Sequence, residues 1–329
     1  MSQTMVDGHG RVIDYLRISV TDRCNLRCLY CMPEDGVPHI PRREVLSFEE
    51  VLRLCRIFAE LGIKTVRITG GEPLVRRDVV GFVRSLKRIP GITRVSMTTN
   101  GVFLGKHLRA LADSGLDAVN VSLDTLDDEV FARLSRGKDI GNILSAIDRA
   151  YDLGLVVKIN CVPVKGFNEG EIVRLAALAK DRRIYVRFIE LMPIGVAASL
   201  APVSLPEITA ALEAEFGPLE PSAIKPGDGP AAYRTPTGFA GSIGLIGALS
   251  SCYCQTCNRL RLTSAGQLQP CLAGTMGADL RELLRGEAGD GRIVDAILGL
   301  IANKPAEHDF CDADGDPGHR KKEMFRIGG

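Results

Sequence analysis

Short β-branched runs alternate with amphipathic stretches along residues 13–192. In residues 47–61 the apolar positions Val51, Leu54, Cys55 and Phe58 recur at helical spacing. The alternation predicts six strands, namely Ile13–Val20, Thr65–Thr69, Val95–Thr99, Ala118–Leu123, Val156–Val162 and Tyr185–Leu191. Alternating strands and helices indicate βα units and a parallel sheet. Six units are too few to close an eight-stranded barrel, so we predict an α/β fold with a partial, open (β/α)6 TIM-like barrel.

Polar residues recur with a period of two along these predicted strands. In four strands two polar residues lie two positions apart, so that both would point to the same face of their strand. These residues are Arg17 and Ser19, Arg67 and Thr69, Asn120 and Ser122, and Lys158 and Asn160. A barrel interior built only for stability is filled with branched apolar residues. The pattern therefore predicts a solvated, ligand-holding interior with the chemistry at the C-terminal strand ends.

The chain divides into three predicted parts: an N-terminal segment (1–12), the barrel core (13–195) and a C-terminal region (196–329). From about residue 195 to 241 the composition changes to Pro, Gly and Ala, with one predicted helix at Leu205–Phe216. Further helices are predicted near Leu280–Arg285 and Val294–Ile301. Ser47 with Glu50, and Asn168 with Glu171, have the spacing of capping boxes.

The overall composition narrows the functional classes. Hydrophobic residues make up 45% and charged residues 25% of the 329 residues, which allows a sizeable core. A net charge of +1 argues against a general nucleic-acid or membrane-surface protein. No apolar run has the length of a membrane span, and residues 1–10 lack the apolar core of a signal peptide. We therefore expect a cytoplasmic protein.

Three of the ten cysteines, Cys24, Cys28 and Cys31, lie in one run after the first predicted strand. Thiolates this close can converge on one metal centre, and sulfur ligands favour iron–sulfur clusters, zinc or copper. Three ligands leave one coordination position open, whereas a closed zinc site takes four. The spacing favours an iron–sulfur cluster, with zinc as the alternative.

A second set, Cys254, Cys257 and Cys271, follows in the C-terminal region. Cys252 or Cys311 could supply the fourth ligand of a zinc site, so spacing leaves zinc open beside an iron–sulfur cluster. The next basic residues are Arg259 and Arg261, which would share one side of an extended segment. Two guanidinium groups on one side suit a phosphate chain, and the alternative is a pair of surface arginines.

Structural roles are predicted for most of the remaining candidate residues. Gly70 and Gly71, followed by Glu72 and Pro73, form either a simple turn or a place where a ligand approaches the backbone. Buried cysteine commonly packs as a small hydrophobe, so core positions are predicted for Cys55 and Cys161. Surface positions without a role are predicted for His308 and His319.

Taken together, the motifs resemble the radical SAM superfamily and, within it, the enzymes of molybdenum cofactor biosynthesis that cyclise GTP. The matching segments are LRISVTDRCNLRCLYCMP (16–33), VRITGGEPLVRRD (66–78), TTNG (98–101), VNVSLDTL (119–126), RFIELMPIG (187–195), CQTCNRLRLT (254–263) and the terminal Gly328-Gly329. The double-glycine end is the most discriminating of them.

The resemblance implies a role for each matching residue. It implies two [4Fe–4S] clusters. One, on Cys24, Cys28 and Cys31, would bind S-adenosylmethionine, and the other, on Cys254, Cys257 and Cys271, would bind the guanine base of GTP. The implied contacts of S-adenosylmethionine are Tyr30, Gly71, Ser122 and Met192. The implied contacts of GTP are Arg17, Arg67, Thr98, Lys158, Arg259 and Arg261. The residues implied in catalysis are Arg17, Arg259, Arg261, Gly328 and Gly329.

The resemblance also implies partners. It implies an external one-electron donor of the flavodoxin or ferredoxin type, and cyclic pyranopterin monophosphate synthase as acceptor of the product. We expect no nucleic-acid or membrane partner, and the oligomeric state, monomer or homodimer, stays open. Three rival functions remain: a radical SAM enzyme acting on peptides, an iron–sulfur electron carrier, and a zinc-stabilised nucleic-acid module.

Overall fold

The computed structural model describes residues 4–274, 276–286, 289–308, 310 and 323–327. Six parallel strands form the centre of its sheet: β1 (Tyr15–Ser19), β2 (Thr65–Thr69), β3 (Arg94–Thr99), β4 (Ala118–Ser122), β5 (Val156–Cys161) and β6 (Tyr185–Ile189). Each strand lies within two residues of its predicted bounds. The spacing of hydrophobic residues was sufficient to predict these strands, because every strand packs its apolar side against helices.

The helices that connect these strands cover the outer face of the sheet. They are α1 (Phe48–Glu60), α2 (Val79–Lys87), α3 (Leu104–Asp113), α4 (Asp128–Ser135), α5 (Gly141–Asp152) and α6 (Ile172–Ala177). The predicted capping box at the start of α1 is confirmed, because the Glu50 amide donates to the Ser47 hydroxyl and the Ser47 amide donates to the Glu50 carboxylate. Cys55 is fully buried on the inner side of α1, as predicted.

The second predicted capping box is wrong. The Asn168 side chain accepts a hydrogen bond from the Val164 amide (2.8 Å) and donates one to the Asp124 carbonyl (2.9 Å). The Glu171 carboxylate accepts from the Thr125 hydroxyl and the Leu126 amide instead of from residue 168. Both side chains fasten the loop after β4, and this long-range use overrides the local capping signal.

The C-terminal region adds strands to both edges of the central sheet. Its elements are α7 (Leu205–Phe216), β7 (Leu219–Pro221), β8 (Ala232–Pro236), β9 (Ser242–Ile246), β10 (Arg259–Leu262), β11 (Gln267–Gln269), β12 (Ala278–Asp279), α8 (Leu280–Arg285) and α9 (Asp290–Ala302). Strand β9 pairs in parallel with β6, and β10 pairs in parallel with β1. The strand order β12-β11-β10-β1-β2-β3-β4-β5-β6-β9-β8-β7 does not close on itself, so the barrel is open, as predicted.

The polar strand residues share the inner face of the sheet. Arg17 is level with Arg67 on β2 and with Arg261 on β10, while Asn120 is level with Lys158. The neighbouring residues of opposite parity, such as Ile18, are fully buried on the helix side. None of the helices in the described part of the chain is long and apolar enough to cross a membrane.

Candidate active site

A first cavity opens at the C-terminal ends of the central strands. It brings together the first cysteine set with all four residues predicted to contact S-adenosylmethionine. Its lining includes Cys24, Cys28, Cys31, Tyr30, Gly71, Ser122 and Met192. Thr98 and Asn160 line it too, and among the described residues neither the Thr98 hydroxyl oxygen nor the Asn160 amide oxygen has a hydrogen-bond partner. Buried polar atoms of this kind fit a cavity that takes a polar ligand.

The three thiols of this cavity are half-buried and line the same space. Burial raises the pKa of Cys31 to about 12, and burial followed by the neighbouring Cys31 raises the pKa of Cys28. The Cys24 sulfur accepts a hydrogen bond from the Leu26 amide (3.4 Å). Iron ligation requires thiolates, so cluster binding would release these protons. Three soft donors around one cavity fit a [4Fe–4S] cluster with an open iron.

The loop Gly70–Pro73 packs directly against the loop that leads into Cys24. The Gly71 amide donates to the Thr21 carbonyl (2.7 Å), and the Glu72 amide donates to the Arg23 carbonyl (2.8 Å). A Cβ atom on Gly71 would lie only 2.4 Å from the Arg23 carbonyl oxygen. Glycine is therefore required at this position by the close approach of two backbones, a reason that the sequence did not reveal.

Glu72 joins this loop to the end of β3. Its carboxylate accepts hydrogen bonds from the Thr99 hydroxyl (2.7 Å) and the Asn100 amide (2.7 Å). Burial raises the pKa of Glu72 to about 7 in spite of these donors. The Asn100 side chain in turn contacts the Cys24 sulfur at 3.8 Å. Glu72 thus helps to position the first thiol.

Asp124 is a site residue that sequence reasoning missed. The Tyr30 hydroxyl donates to its carboxylate at 2.6 Å, and the Val162 amide donates to the other oxygen at 2.8 Å. Burial raises the pKa of Asp124 to about 6. The bond orients Tyr30 in the first cavity. Asp124 lies two residues after Ser122 with the same parity, so the period-two rule would have indicated it.

A second cavity adjoins the first and shares Asn160, Ile189 and Met192 with it. Five arginines line it, and none of the described lining residues is a carboxylate. The arginines are Arg17, Arg67, Arg187, Arg259 and Arg261. Arg187 was not predicted, although it follows the period-two pattern on β6, level with Asn160. A cavity of this charge suits a polyphosphate.

The guanidinium groups of this cavity repel one another. Burial, then the charges of Arg261 and Arg67, lower the pKa of Arg17. Burial and the neighbouring Arg259 lower the pKa of Arg261 to about 10. A bound anion would relieve this repulsion. Lys158, a predicted GTP contact, is not among the lining residues of this cavity. It is 3% exposed, and the charges of Arg187 and Arg67 act on it.

The second cysteine set lies beside the strand pair β10 and β11. Cys254 and Cys257 come just before β10, and Cys271 comes just after β11. Burial opposes ionisation of Cys257, but the charges of Arg259 and Lys304 outweigh it and lower the pKa of Cys257 to about 7. The Lys304 ammonium group donates to the carbonyls of Arg259 (3.1 Å) and Pro270. Cys254 begins a short 3-10 helix, Cys257 directly follows that helix, and Cys271 follows Pro270. This thiol set and its cationic surroundings fit a second anionic iron–sulfur cluster.

Two residues beside this set differ from expectation. His308 is half-buried, with a buried Nε2 atom, instead of lying on the surface, and its ring lies beside the sulfurs of Cys252 and Cys254. His319 and Cys311 lie outside the described residues. The fully buried Cys161 packs between Asp124 and Asn168, as predicted for a structural thiol.

The C-terminal tail returns to the first cavity. Met324 and Phe325 line it, and the Phe325 amide donates to the Cys31 sulfur. Ile327 is also buried. The predicted catalytic residues Gly328 and Gly329 lie outside the described residues.

Comparison with known proteins assigns the family. The model of the Radical SAM superfamily matches residues 18–179, and the model named Molybdenum Cofactor Synthesis C matches residues 184–310. A GTP 3′,8-cyclase of Pelotomaculum thermopropionicum is 45% identical over 329 residues, covering 99% of this chain and 100% of the relative. The chain belongs to the GTP 3′,8-cyclase family.

Other members of the GTP 3′,8-cyclase family agree with this assignment. The relative from Moorella thermoacetica is 42% identical over 328 residues, covering 99% of this chain and 100% of its own length. Among solved structures, Streptococcus suis SuiB bound to S-adenosylmethionine has a TM-score of 0.64 at 18% identity, covering 90% of this chain and 69% of that chain. This likeness supports the open radical SAM fold.

Proposed function

We infer that the protein cyclises GTP to (8S)-3′,8-cyclo-7,8-dihydroguanosine 5′-triphosphate, the first step of molybdenum cofactor biosynthesis. The observation that carries this conclusion is the pair of adjoining cavities. Three thiols line the first cavity, and five arginines line the second, whose described lining residues include no carboxylate. A triphosphate satisfies such an arginine set, whereas a peptide substrate or an electron carrier has no use for it.

The cofactors would be held by residues already located. Cys24, Cys28 and Cys31 would hold one [4Fe–4S] cluster and Cys254, Cys257 and Cys271 the other, and S-adenosylmethionine would contact Tyr30, Gly71, Ser122 and Met192. When bound, the first cluster and S-adenosylmethionine would supply 5′-deoxyadenosyl radical chemistry directed at the ribose 3′-hydrogen of GTP.

The residues of the chain bind and orient the substrate. Arg17, Arg67, Arg259 and Arg261 would hold the triphosphate and the sugar. The second cluster, on Cys254, Cys257 and Cys271, would hold the guanine base, and Arg259 lies beside Cys257. Thr98 and Lys158 would complete the contacts on β3 and β5. Holding both the triphosphate and the base keeps the ribose 3′-carbon close to C8 of the guanine. Binding thereby supplies the conformational entropy that bringing these two atoms together would otherwise cost. Arg17 is also placed to stabilise charge during the closing reduction and protonation.

The partners are part of the proposal. A flavodoxin- or ferredoxin-like protein would deliver single electrons, and cyclic pyranopterin monophosphate synthase would take the product. We place the enzyme in the cytoplasm, because its cysteine sets require a reducing compartment. It would act as a monomer or homodimer, without nucleic-acid or membrane partners.

The test is anaerobic reconstitution with iron and sulfide, followed by reductant, S-adenosylmethionine and GTP. We expect equal amounts of 5′-deoxyadenosine and cyclised nucleotide, measured by liquid chromatography and mass spectrometry. The Cys28→Ser variant is the matched control and should form neither. If 5′-deoxyadenosine accumulates while GTP remains, the substrate assignment is wrong. If the chain takes up zinc in place of iron, the radical mechanism is wrong.

A further inference from the structure

A second group of metal-ligand side chains lies beside the C-terminal cysteine set. The sulfurs of Cys252 and Cys254 and a ring nitrogen of His308 all lie within 4.8 Å of one another. A tetrahedral zinc ion with sulfur at about 2.3 Å and nitrogen at about 2.0 Å separates its ligand atoms by roughly 3.5–3.8 Å. A small contraction would therefore let this group hold a single ion.

The imidazole is held at this position by its own backbone. The His308 amide donates to the Cys254 sulfur. The Nε2 atom of His308 is buried and meets no hydrogen-bond partner among the described residues, while Nδ1 accepts a long bond of 3.4 Å from the Phe310 amide. Either ring nitrogen can ligate a metal ion. Ligation through Nε2 would leave the bond from Phe310 in place, whereas ligation through Nδ1 would break it.

Arg11 fixes the two segments that carry these ligands. Its guanidinium group donates to the carbonyls of Cys254 (2.7 Å), Ala306 (2.8 Å) and Pro305 (2.6 Å). Its Nε donates to the buried Asp7 carboxylate at 2.6 Å, which holds the guanidinium in place. The chain that leads to His308 is therefore fastened to the turn at Cys254.

The group differs from a cluster site in geometry and charge. Thiolates on different irons of a cubane point outward from separate corners and stand well apart. Cys252 and Cys254 are instead close enough to share one ion. The positive charges of Lys304 and Arg259 act on Cys257, which suits an anionic cluster there and disfavours a bare dication.

We propose that Cys252, Cys254 and His308 form a site for one soft divalent ion such as zinc. The site shares Cys254 with the proposed iron–sulfur cluster, so the ion and the cluster exclude each other. Three ligands leave a fourth position for water. A chain loaded with zinc would retain its first cluster but lack the second.

The first test uses Co²⁺ as an optical probe of the site in the full-length chain. Cys24→Ser, Cys28→Ser and Cys31→Ser remove the other thiol set from this background. We expect one Co²⁺ per chain, with thiolate-to-cobalt charge-transfer absorption. Cys252→Ser and His308→Gln should each weaken the affinity at least tenfold, and Arg11→Met should weaken it as a positioning change. Cys257→Ser and Cys271→Ser are the matched controls and should retain Co²⁺.

Three results would overturn the proposal. These are absence of Co²⁺ binding, unchanged affinity in Cys252→Ser and His308→Gln, and loss of Co²⁺ in Cys257→Ser. Zinc-edge X-ray absorption on the same background with Cys252 and His308 retained covers the case in which a variant misfolds. It should show two sulfur neighbours and two nitrogen or oxygen neighbours, namely the imidazole and the water, and three sulfurs would contradict the assignment.

The second test measures exclusion in the native chain. Protein preloaded with one equivalent of zinc should take up the iron of one cluster on anaerobic reconstitution, whereas zinc-free protein should take up that of two. Cys252→Ser should restore the second cluster in the presence of zinc. Equal iron contents with and without zinc would refute exclusion. None of these measurements uses GTP, so they stand or fall independently of the proposed reaction.

Discussion

Lys158 is a buried lysine surrounded by positive charge. Burial and the charges of Arg187, Arg67 and Arg94 lower its pKa to about 6, and Asp228 opposes the shift. At neutral pH the substrate-free side chain is therefore mostly uncharged. A triphosphate in the second cavity would favour the ammonium form and raise the pKa.

We predict that GTP binding takes up a proton at Lys158. Between pH 6 and the pKa of the complex, the complex holds more protons than the free protein. The lysine contribution to affinity therefore falls as pH rises, by at most about tenfold per pH unit. Calorimetric titration of the reconstituted enzyme in two buffers of different ionisation enthalpy measures the uptake.

Lys158→Met provides the control for this prediction. The γ-phosphate of GTP titrates in the same range, and its contribution remains in the variant. The difference between the two proteins isolates the lysine. Equal proton uptake in both would show that the protonation state of Lys158 does not change when GTP binds, and the prediction would be wrong.

At the scale of elements, the six central strands were predictable because each one alternates between an apolar outer side and a polar inner side. The same rule failed to place β9 and β10 beside β6 and β1, since strand pairing over such distances depends on tertiary structure. It likewise gave no sign of His308, whose neighbours lie more than 50 residues earlier. Local sequence patterns therefore predicted the site residues on the six central strands better than those contributed by the C-terminal region.

The pairing of β10 with β1 places Arg261 level with Arg17. We predict that replacing Arg261 weakens GTP binding but stabilises the GTP-free enzyme. Arg261→Met should weaken GTP binding by about 10- to 100-fold, because hydrogen bonds to charged groups contribute about 1.5–3 kcal/mol. The same change should raise the melting temperature of the GTP-free enzyme by about 1–2 °C, because ~1 kcal/mol of relieved repulsion shifts the transition of a 329-residue chain by that much. Binding titrations and calorimetric melting measure the two effects.

Arg109→Met is the matched control, because the Arg109 side chain is 74% exposed and pairs with Asp113 of the same helix. It should change neither quantity. A lower melting temperature for Arg261→Met would mean that packing of the long side chain outweighs charge repulsion in this cavity.

At the scale of the whole molecule, both ends of the chain reach functional residues. The N-terminal segment supplies Arg11 to the turn at Cys254, and the tail supplies Met324 and Phe325 to the first cavity. The resemblance to GTP-cyclising enzymes suggested a role for the tail, whereas no sequence pattern indicated Arg11. Its partners lie 243 to 295 residues away along the chain.

We predict that deleting Gly328 and Gly329 leaves both clusters and 5′-deoxyadenosine formation intact but abolishes the cyclised product. Phe325 and its contact to Cys31 remain in this variant, so the first cavity keeps its lining. Iron content, absorption spectra and product analysis measure the outcome. Full product formation would show that the double glycine has no catalytic role.

A longer deletion, of residues 324–329, serves as the comparison. It also removes Phe325, and we expect a higher KM for S-adenosylmethionine in addition to loss of product. Identical behaviour of the two deletions would mean that Phe325 contributes nothing to the cavity.

The bonds of Arg11 also set an order for biosynthesis. Cys24, Cys28 and Cys31 leave the ribosome within eight residues of one another, early in translation. The second thiol set cannot take its final shape until Pro305 and Ala306 have been made and have met an arginine synthesised almost 300 residues before them. We therefore expect insertion of the second cluster to be a late event, carried out on a chain that is nearly complete.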